Sequence, residues 1–577
     1  MMKKSILRIL ALALTLCMLA LSLLACDRFY LTDPPAELPS SPAEETEQAG
    51  ETQLKPMPPE VEPSEKQQAS DEQNEDPLQW VDISKVEERV KPRIEERFDG
   101  QVIRFAVCND YRGLGSRSID LGKDDDPTNT VNVQIAKRNA QVEKELGVKI
   151  ELEKAVSTQV MVPEMTPILA SNLYVYDVLG LNQYFDLGLC LGDTVGKFYN
   201  LNSMPEGYTN YLNLDAPYWN KMLSKETGMK AYDVSFYMTG DLSLSYMGGL
   251  YVSFVNADLW AKYADEIAKL ESAGGYSDPY EIVKKGYWTM DLLIDLADLV
   301  YLDKGNTKGE VDYEDQVGLM TYNETLNNTM ADVLVAGAHV QLGGYDEEGY
   351  PTVAINTKEN KAFMEKLYTL LCKTKAATIP WLEGTNATDP EDSLYIMNLF
   401  KKGNTLVTLN TLQCAQTHLA DMEGDYLILP PPMLTSGQYD PESLSLGYSS
   451  QVAGDLFNHY AICKAIKDQK IPAVTATLEL MAYYSALWVT PAYVKTVLRD
   501  NYSDPNALLM LGLTRAGIYT DFMFVWSNEL DNINWKFRNN YAREDRISAN
   551  LKSWHRSVQG KLNKLLPSIY ESSGYIE

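Results

Sequence analysis

Between Val102 and Leu181 the chain alternates strand, helix, strand, helix, strand, and this alternation limits the possible fold more than any other feature. Val102-Ile103-Arg104-Phe105-Ala106-Val107 is a short apolar run with β-branched character, the pattern of a buried strand. A polar loop follows, Asn109 to Thr130. Val131, Ile135, Val142 and Leu146 then fall on one face of a helix that Gly147 ends. Val148 to Leu152 resumes a strand, and a second step adds a helix near Val162 to Ser171 and a strand at Tyr176 to Leu181. Such alternation argues an α/β fold with a parallel sheet. Downstream, Thr289 caps a predicted helix, Phe363 to Leu371 forms another, and Pro472 opens a third. Strands are expected at Met247 to Val255, Thr405 to Leu409 and Tyr426 to Leu429. No fixed-period repeat occurs, which excludes a solenoid.

The N-terminus carries a different signal. Lys3, Lys4 and Arg8 precede an uncharged, mostly apolar run of 16 residues, Ile9 to Leu24. A spanning helix needs about 20 residues, so the run fits the apolar region of a signal peptide, residues 1–25. It ends in Leu23-Leu24-Ala25-Cys26, which resembles the bacterial lipobox, with Leu24 bulkier than usual before the small residue. That resemblance implies lipidation of Cys26 and a membrane tether made of two acyl chains. Asp33 to Pro77 is rich in Pro, Glu, Ser and Gln and lacks aromatics, so it cannot bury enough apolar surface to fold. Residues 26–95 are therefore expected to form an acidic, Pro-rich tether.

Charge narrows the partners. Lys and Arg total 51 against 80 Asp and Glu, a net of −29, and loss of the signal segment with its three basic residues takes this to −32. Such a field disfavours nucleic acid and anionic lipid surfaces. Beyond Cys17 and Cys26, cysteines stand singly at 108, 190, 372, 414 and 463, with no CxxC pair, so neither a disulfide framework nor a zinc site is expected. Enzyme motifs fail. Gly192 to Lys197 is one residue short of a phosphate loop, and Phe198 stands where Ser or Thr is needed. Gly447 to Gln451 lacks the final glycine of a nucleophile elbow. The four histidines, His339, His418, His459 and His555, lie far apart in sequence. No catalytic residue, cofactor or metal is expected.

Several segments, in order, resemble extracellular solute-binding lipoproteins of the ABC-importer family 1, the maltose-binding-like group and its large clostridial-type members. They are Asp126 to Thr130 with Ala136 to Ile150; Tyr211 to Trp219; Gly240-Asp241-Leu242-Ser243-Leu244; Val255 to Trp260; Gly286 to Asp291; Asp315 to Leu319; Phe400 to Gly403; and Tyr484-Ser485 with Val489 to Tyr493. The chain departs from that group in one loop. Large members carry a calcium-like loop before the Asp-Gln strand, but here Lys304 and Lys308 take ligand positions relative to Asp315, and no calcium site is expected.

The resemblance implies a two-lobe periplasmic-binding-protein-like fold (type II) with hinge crossovers, closing on ligand between the lobes. Lobe 1 would hold 96–250 and 425–490, and lobe 2 would hold 251–424 and 491–577. It further implies a small-molecule ligand, sugar or oligosaccharide being the family's commonest class, and ABC permease subunits as partners. The location would be the outer face of the cell membrane or the periplasm. The alternatives are a secreted lipoprotein enzyme acting on polysaccharide and a sensor or surface protein of the same fold. Ligands in such folds sit at the carboxyl ends of parallel strands and at crossovers. The candidate ligand-binding residues are therefore Asn109, Asp110 and Tyr111 after the first strand, and Asn182, Gln183 and Tyr184 after the third. Asp241 stands before a crossover, Asn410 and Gln413 after a second-lobe strand, and Tyr448 and Ser450 at the return to lobe 1. Trp219 and Trp381 are candidate stacking platforms.

Overall fold

In the computed structural model the described residues are 91–108, 120–121, 129–304, 315–322, 329–379, 395–439, 447–539 and 543–572. The signal segment, Cys26, most of the tether, Asn109, Asp110, Tyr111 and Trp381 lie outside them.

β1 (Val102–Cys108) is a central strand because little of it can face water: Ile103, Phe105, Ala106, Val107 and Cys108 are all fully buried. It pairs in parallel with β2 (Lys149–Val156) on one side and β3 (Val178–Asn182) on the other. The helix Thr130–Leu146 connects β1 to β2. Asn129 caps its start by accepting from the Val131 and Asn132 N–H groups, and Gly147 ends it at φ 72°, a conformation that strains any residue with a Cβ. The next helix spans Thr158–Ala170, longer at its start than the apolar pattern suggested.

β4 (Tyr251–Asn256) belongs to a second sheet with β5 (Val317–Tyr322), β8 (Ala377–Ile379), β9 (Thr405–Thr411) and β10 (Tyr426–Leu429), while β6 (Gly343–Tyr345) and β7 (Pro351–Val353) form a separate hairpin. The order is β10-β4-β9-β5-β8. β11 (Asn458–Ile462) returns to the first sheet and runs antiparallel to β3, giving β11-β3-β1-β2. The molecule is thus a mixed α/β structure of two lobes, one built around each sheet. One expectation differs from what forms. Leu244–Gly248 is a short helix, so the strand expected from Met247 starts only at Tyr251. β10 pairs with β4 in the second sheet.

The lobes are joined by backbone as well as by side chains. Leu250 and Val452 lie on adjacent, oppositely directed crossing segments. The Tyr251 N–H donates to the Gln451 carbonyl at 3.0 Å, and the Ala453 N–H to the Gly249 carbonyl at 2.9 Å. On the other side of Ser450, its N–H reaches the Gly517 carbonyl at 2.9 Å and its carbonyl accepts from Tyr519 at 3.0 Å. A third crossing is helical. Ile471–Tyr484, buried at every residue, packs on the helix Thr130–Leu146. It continues through a wide π turn, Ser485–Val489, into Thr490–Leu498, which also contacts the second-lobe turn Cys414–Thr417. The C-terminal helices Pro505–Ala516, Ile533–Asn539 and Ile547–Ser572 cover the second lobe. Among the described residues no helix is long and apolar enough to cross a membrane.

Candidate functional site

A cavity of about 320 Å³ opens at the carboxyl end of β3, between the two sheets. From the first lobe it is lined by Gln183, Tyr184 and Phe185, which follow β3, and by Gly454 and Asp455, which precede β11. From the second it takes Tyr251 on β4, Asp332 and Val335 on the helix Thr329–Gly337, and Asn534, Trp535 and Arg538 on the helix Ile533–Asn539. Residues three and four apart share a helix face, and this spacing puts Asn534, Trp535 and Arg538 on one wall. Gln451, from the crossing segment, forms part of the wall at the hinge.

The polar groups of this cavity divide into satisfied and unsatisfied. The Arg538 guanidinium donates through Nη1 to Asp332 Oδ2 at 2.6 Å, and the Tyr251 hydroxyl reaches the same oxygen at 3.5 Å. Burial pushes the Asp332 carboxyl up, and the neighbouring Arg538 opposes that rise. Arg538 Nε is buried without a hydrogen-bond partner. Asp455 lines the cavity half-buried, with no hydrogen bond or ion pair among the described residues. The Trp535 indole is 36% exposed at the rim, one of the few large apolar side chains left in water. Tyr184 bridges the lobes by donating to Asn532 Oδ1 at 2.7 Å, and burial pushes its hydroxyl up to about 12. Behind the wall, burial drives His459 down to about 3, so its ring is neutral. His459 Nε2 is 3.0 Å from Gln183 Oε1, and its Nδ1 has no partner, so the tautomer that satisfies the pair carries the proton on Nε2.

Of the residues singled out from the sequence, Gln183 and Tyr184 are brought together in this cavity. Asn182 sits one residue earlier and faces inward, its Oδ1 accepting from the Tyr184 and Phe185 N–H groups. Asp241 is held in the interior. Its Oδ1 accepts from Thr490 and its Oδ2 from Arg515, both at 2.7 Å, with the carboxylate 1% exposed. Tyr448 donates to the Val283 carbonyl at 2.9 Å and Ser450 to the Tyr251 carbonyl at 2.8 Å. Side chains on an extended segment alternate, and Gln451, not Ser450, lines the cavity. Asn410 contacts Met397 through its amide nitrogen, and neither it nor Gln413 lines the cavity. Trp219 is packed, its indole N–H donating to Glu479 Oε2 at 2.8 Å; with Tyr246 and Arg515 it lines a smaller cavity of about 170 Å³. Asp315 accepts from the Lys304 N–H at 2.7 Å and from Tyr301 at 3.4 Å, and residues 305–314 between them lie outside the described set.

Sequence reasoning missed Asp332, Asp455, Trp535 and Arg538. A signal for the last pair was present: Trp535 and Arg538 stand three apart in a helical stretch, an aromatic and a guanidinium on one face.

Away from the cavity, the lobes meet again. Tyr345 on the β6–β7 hairpin donates to Glu226 of the segment that follows Trp219, and Tyr232 and Tyr350 share a hydrogen bond of 2.9 Å. Burial pushes the Glu226 carboxyl up to about 7, with Asp521 adding to the rise and Lys230 opposing it. The folded state therefore holds this proton more tightly than the unfolded chain. The stability it contributes is fully present below pH 4.5 and is lost as pH rises through about 7. Glu226→Gln keeps an acceptor for Tyr345 and removes the charge. It is expected to stabilise the protein at pH 8 by about 1–3 kcal/mol and to have almost no effect at pH 4. Urea unfolding of the two proteins at both pH values checks this; equal differences at both would contradict it.

No family model matches this chain, and no curated protein matches it. Solved structures do. The cyclic alpha-maltosyl-1,6-maltose binding protein from Arthrobacter globiformis superposes with a TM-score of 0.49 at 12% identity, covering 81% of this chain and 100% of that one. The maltose-binding periplasmic protein MalE from Listeria monocytogenes, in complex with maltose, gives 0.46 at 13% identity, with 82% and 98% covered. An ABC transporter associated binding protein from B. animalis subsp. lactis, in complex with beta-1,6-galactobiose, gives 0.44 at 12%, with 82% and 98% covered.

Proposed function

We propose that this protein is a membrane-tethered, extracytoplasmic solute-binding lipoprotein that captures a carbohydrate for an ABC importer. The observation that carries the reading is the interlobe cavity. It is lined by the Asp455 carboxylate, which has no hydrogen bond or ion pair among the described residues, by the Arg538 guanidinium and by the exposed indole of Trp535. A sugar ring has complementary needs: hydroxyls that both donate and accept, and an apolar face that covers an aromatic ring. The size fits as well, since small-molecule pockets begin at about 300 Å³. Two lobes joined by crossing segments can close on what lies between them. Capture without chemistry is the reading adopted.

The test is a thermal-shift screen of the mature chain against mono- and oligosaccharides. A ligand that binds only the folded state stabilises it by about 2.7 kcal/mol at 100 times its Kd, so at least one sugar is expected to raise Tm in a concentration-dependent way. A complete panel without a shift would remove the carbohydrate reading.

The tether is part of the same proposal and rests on Lys3, Lys4, Arg8, the apolar run and Cys26. Cys26→Ala is expected to move the protein out of the membrane fraction or leave it unprocessed. Normal cleavage with unchanged membrane retention would contradict lipidation.

A further inference from the structure

The charges in the cavity do not cancel. Asp332 and Arg538 are joined at 2.6 Å, and the same guanidinium also attracts Asp455 from further away. Asp455 lines the same cavity with no cation bound to it among the described residues. Among the described lining residues, two carboxylates and one guanidinium therefore leave a net of one negative charge. With no hydrogen bond or ion pair of its own among the described residues, the Asp455 carboxylate favours a ligand that supplies positive charge. The aromatic side chains of Trp535, Tyr184 and Tyr251 also line the cavity, and aromatic faces attract cations. At long range the whole chain, at −29 overall, concentrates cations at its surface.

We propose that Asp455 makes this site selective for a solute bearing a protonated amine, an amino sugar being the class that also satisfies Trp535. This deepens the carbohydrate reading and rests on it. In the bound state the ammonium donates to Asp455 and the ring covers the Trp535 indole. Specificity then lies in the charge: a neutral hydroxyl can also donate to Asp455, but leaves the site negative. N-acetylation of the amine removes the charge and adds bulk, so an acetylated sugar is rejected as well.

The experiment is calorimetric titration at about pH 6, where amines are protonated, with matched pairs. These are glucosamine against glucose, galactosamine against galactose, mannosamine against mannose, and the β-1,4-linked glucosamine disaccharide against cellobiose. The amine of at least one pair is expected to bind on the order of 10- to 100-fold tighter than its neutral partner, the range for a hydrogen bond to a charged group. Asp455→Asn is expected to shrink that preference to within about threefold, and Asp455→Glu to retain most of it. Both variants keep a polar group at a half-buried turn, and their melting temperatures report that they fold. Neutral sugars binding as tightly as their amines, or Asp455→Asn keeping the full preference, would overturn the proposal and leave carbohydrate capture standing. If no member of any pair binds while other sugars in the wider panel do, the proposal is likewise overturned alone. If no sugar of any kind binds, it fails together with the carbohydrate reading.

Discussion

Asp241→Ala is expected to destabilise the protein by about 3–5 kcal/mol, because it removes the carboxylate that is ion-paired with the buried Arg515 guanidinium. The Arg515 side chain is 10% exposed, and Asp241 is its ion-pair partner at 2.7 Å. The same carboxylate accepts from Thr490 at the first residue after the π turn, so one side chain ties three segments at the junction of the lobes. Native proteins retain only about 5–15 kcal/mol of net stability, which makes this a large fraction of the total. Replacing both partners, Asp241→Ala with Arg515→Met, is expected to recover part of the loss, since no uncompensated charge then remains. Urea unfolding of the single and double variants reads the effect. A single variant that unfolds like the parent would mean that the ion pair does not anchor the junction. Both carboxylate oxygens are engaged inside the protein, so loss of Asp241 is expected to act on stability.

Much of the fold was legible because its signals are local. The helix at Thr130–Leu146 could be read from its apolar face and from Gly147, whose φ of 72° is what a terminal glycine permits. Tyr426–Leu429 was legible as a strand from four apolar residues. Its sheet was not, because pairing with β4, 170 positions earlier in the chain, leaves no mark in the strand itself. The strand expected at Met247 failed for a different reason. Gly248 and Gly249 break it, and a Cβ at Gly249 would lie 3.0 Å from Val452 Cγ1, where the two crossing segments meet. An apolar run does not reveal that a second chain segment passes against it.

The site was legible only where the topology argument reaches. Residues after a parallel strand approach the cleft, and Gln183 and Tyr184 do line the cavity. The opposite wall comes from helices at 329–337 and 533–539, and no strand-end rule points there. Polar type alone also misleads. Asp241, Tyr448 and Ser450 have the chemistry of ligand contacts, but each is already satisfied by Arg515, the Val283 carbonyl and the Tyr251 carbonyl respectively. A polar residue is available to a ligand only if the fold leaves its hydrogen bonds unmade, and that property is absent from the sequence.

Trp535→Ala gives the second large effect. The indole is 36% exposed on a helix whose neighbours Ile533 and Phe537 are fully buried, so its removal leaves the packed face of the helix intact. Stability should change by less than about 1 kcal/mol, as for other exposed positions away from the core. Affinity should fall by about 2–3 kcal/mol, or on the order of 30- to 150-fold, the usual cost of losing an aromatic anchor. This split between affinity and stability distinguishes a stacking platform from a structural tryptophan such as Trp219, whose N–H is bound to Glu479.

The central claim is that the cavity between the sheets is where this protein holds a sugar. It is tested most directly by calorimetric titration of the best-stabilising sugar of the panel into the parent protein and into Trp535→Ala. The account predicts a single site in the parent and a Kd weakened by at least about 30-fold in the variant, with the two melting temperatures nearly equal in the absence of sugar. Equal affinity for parent and variant would place the sugar elsewhere and contradict the account.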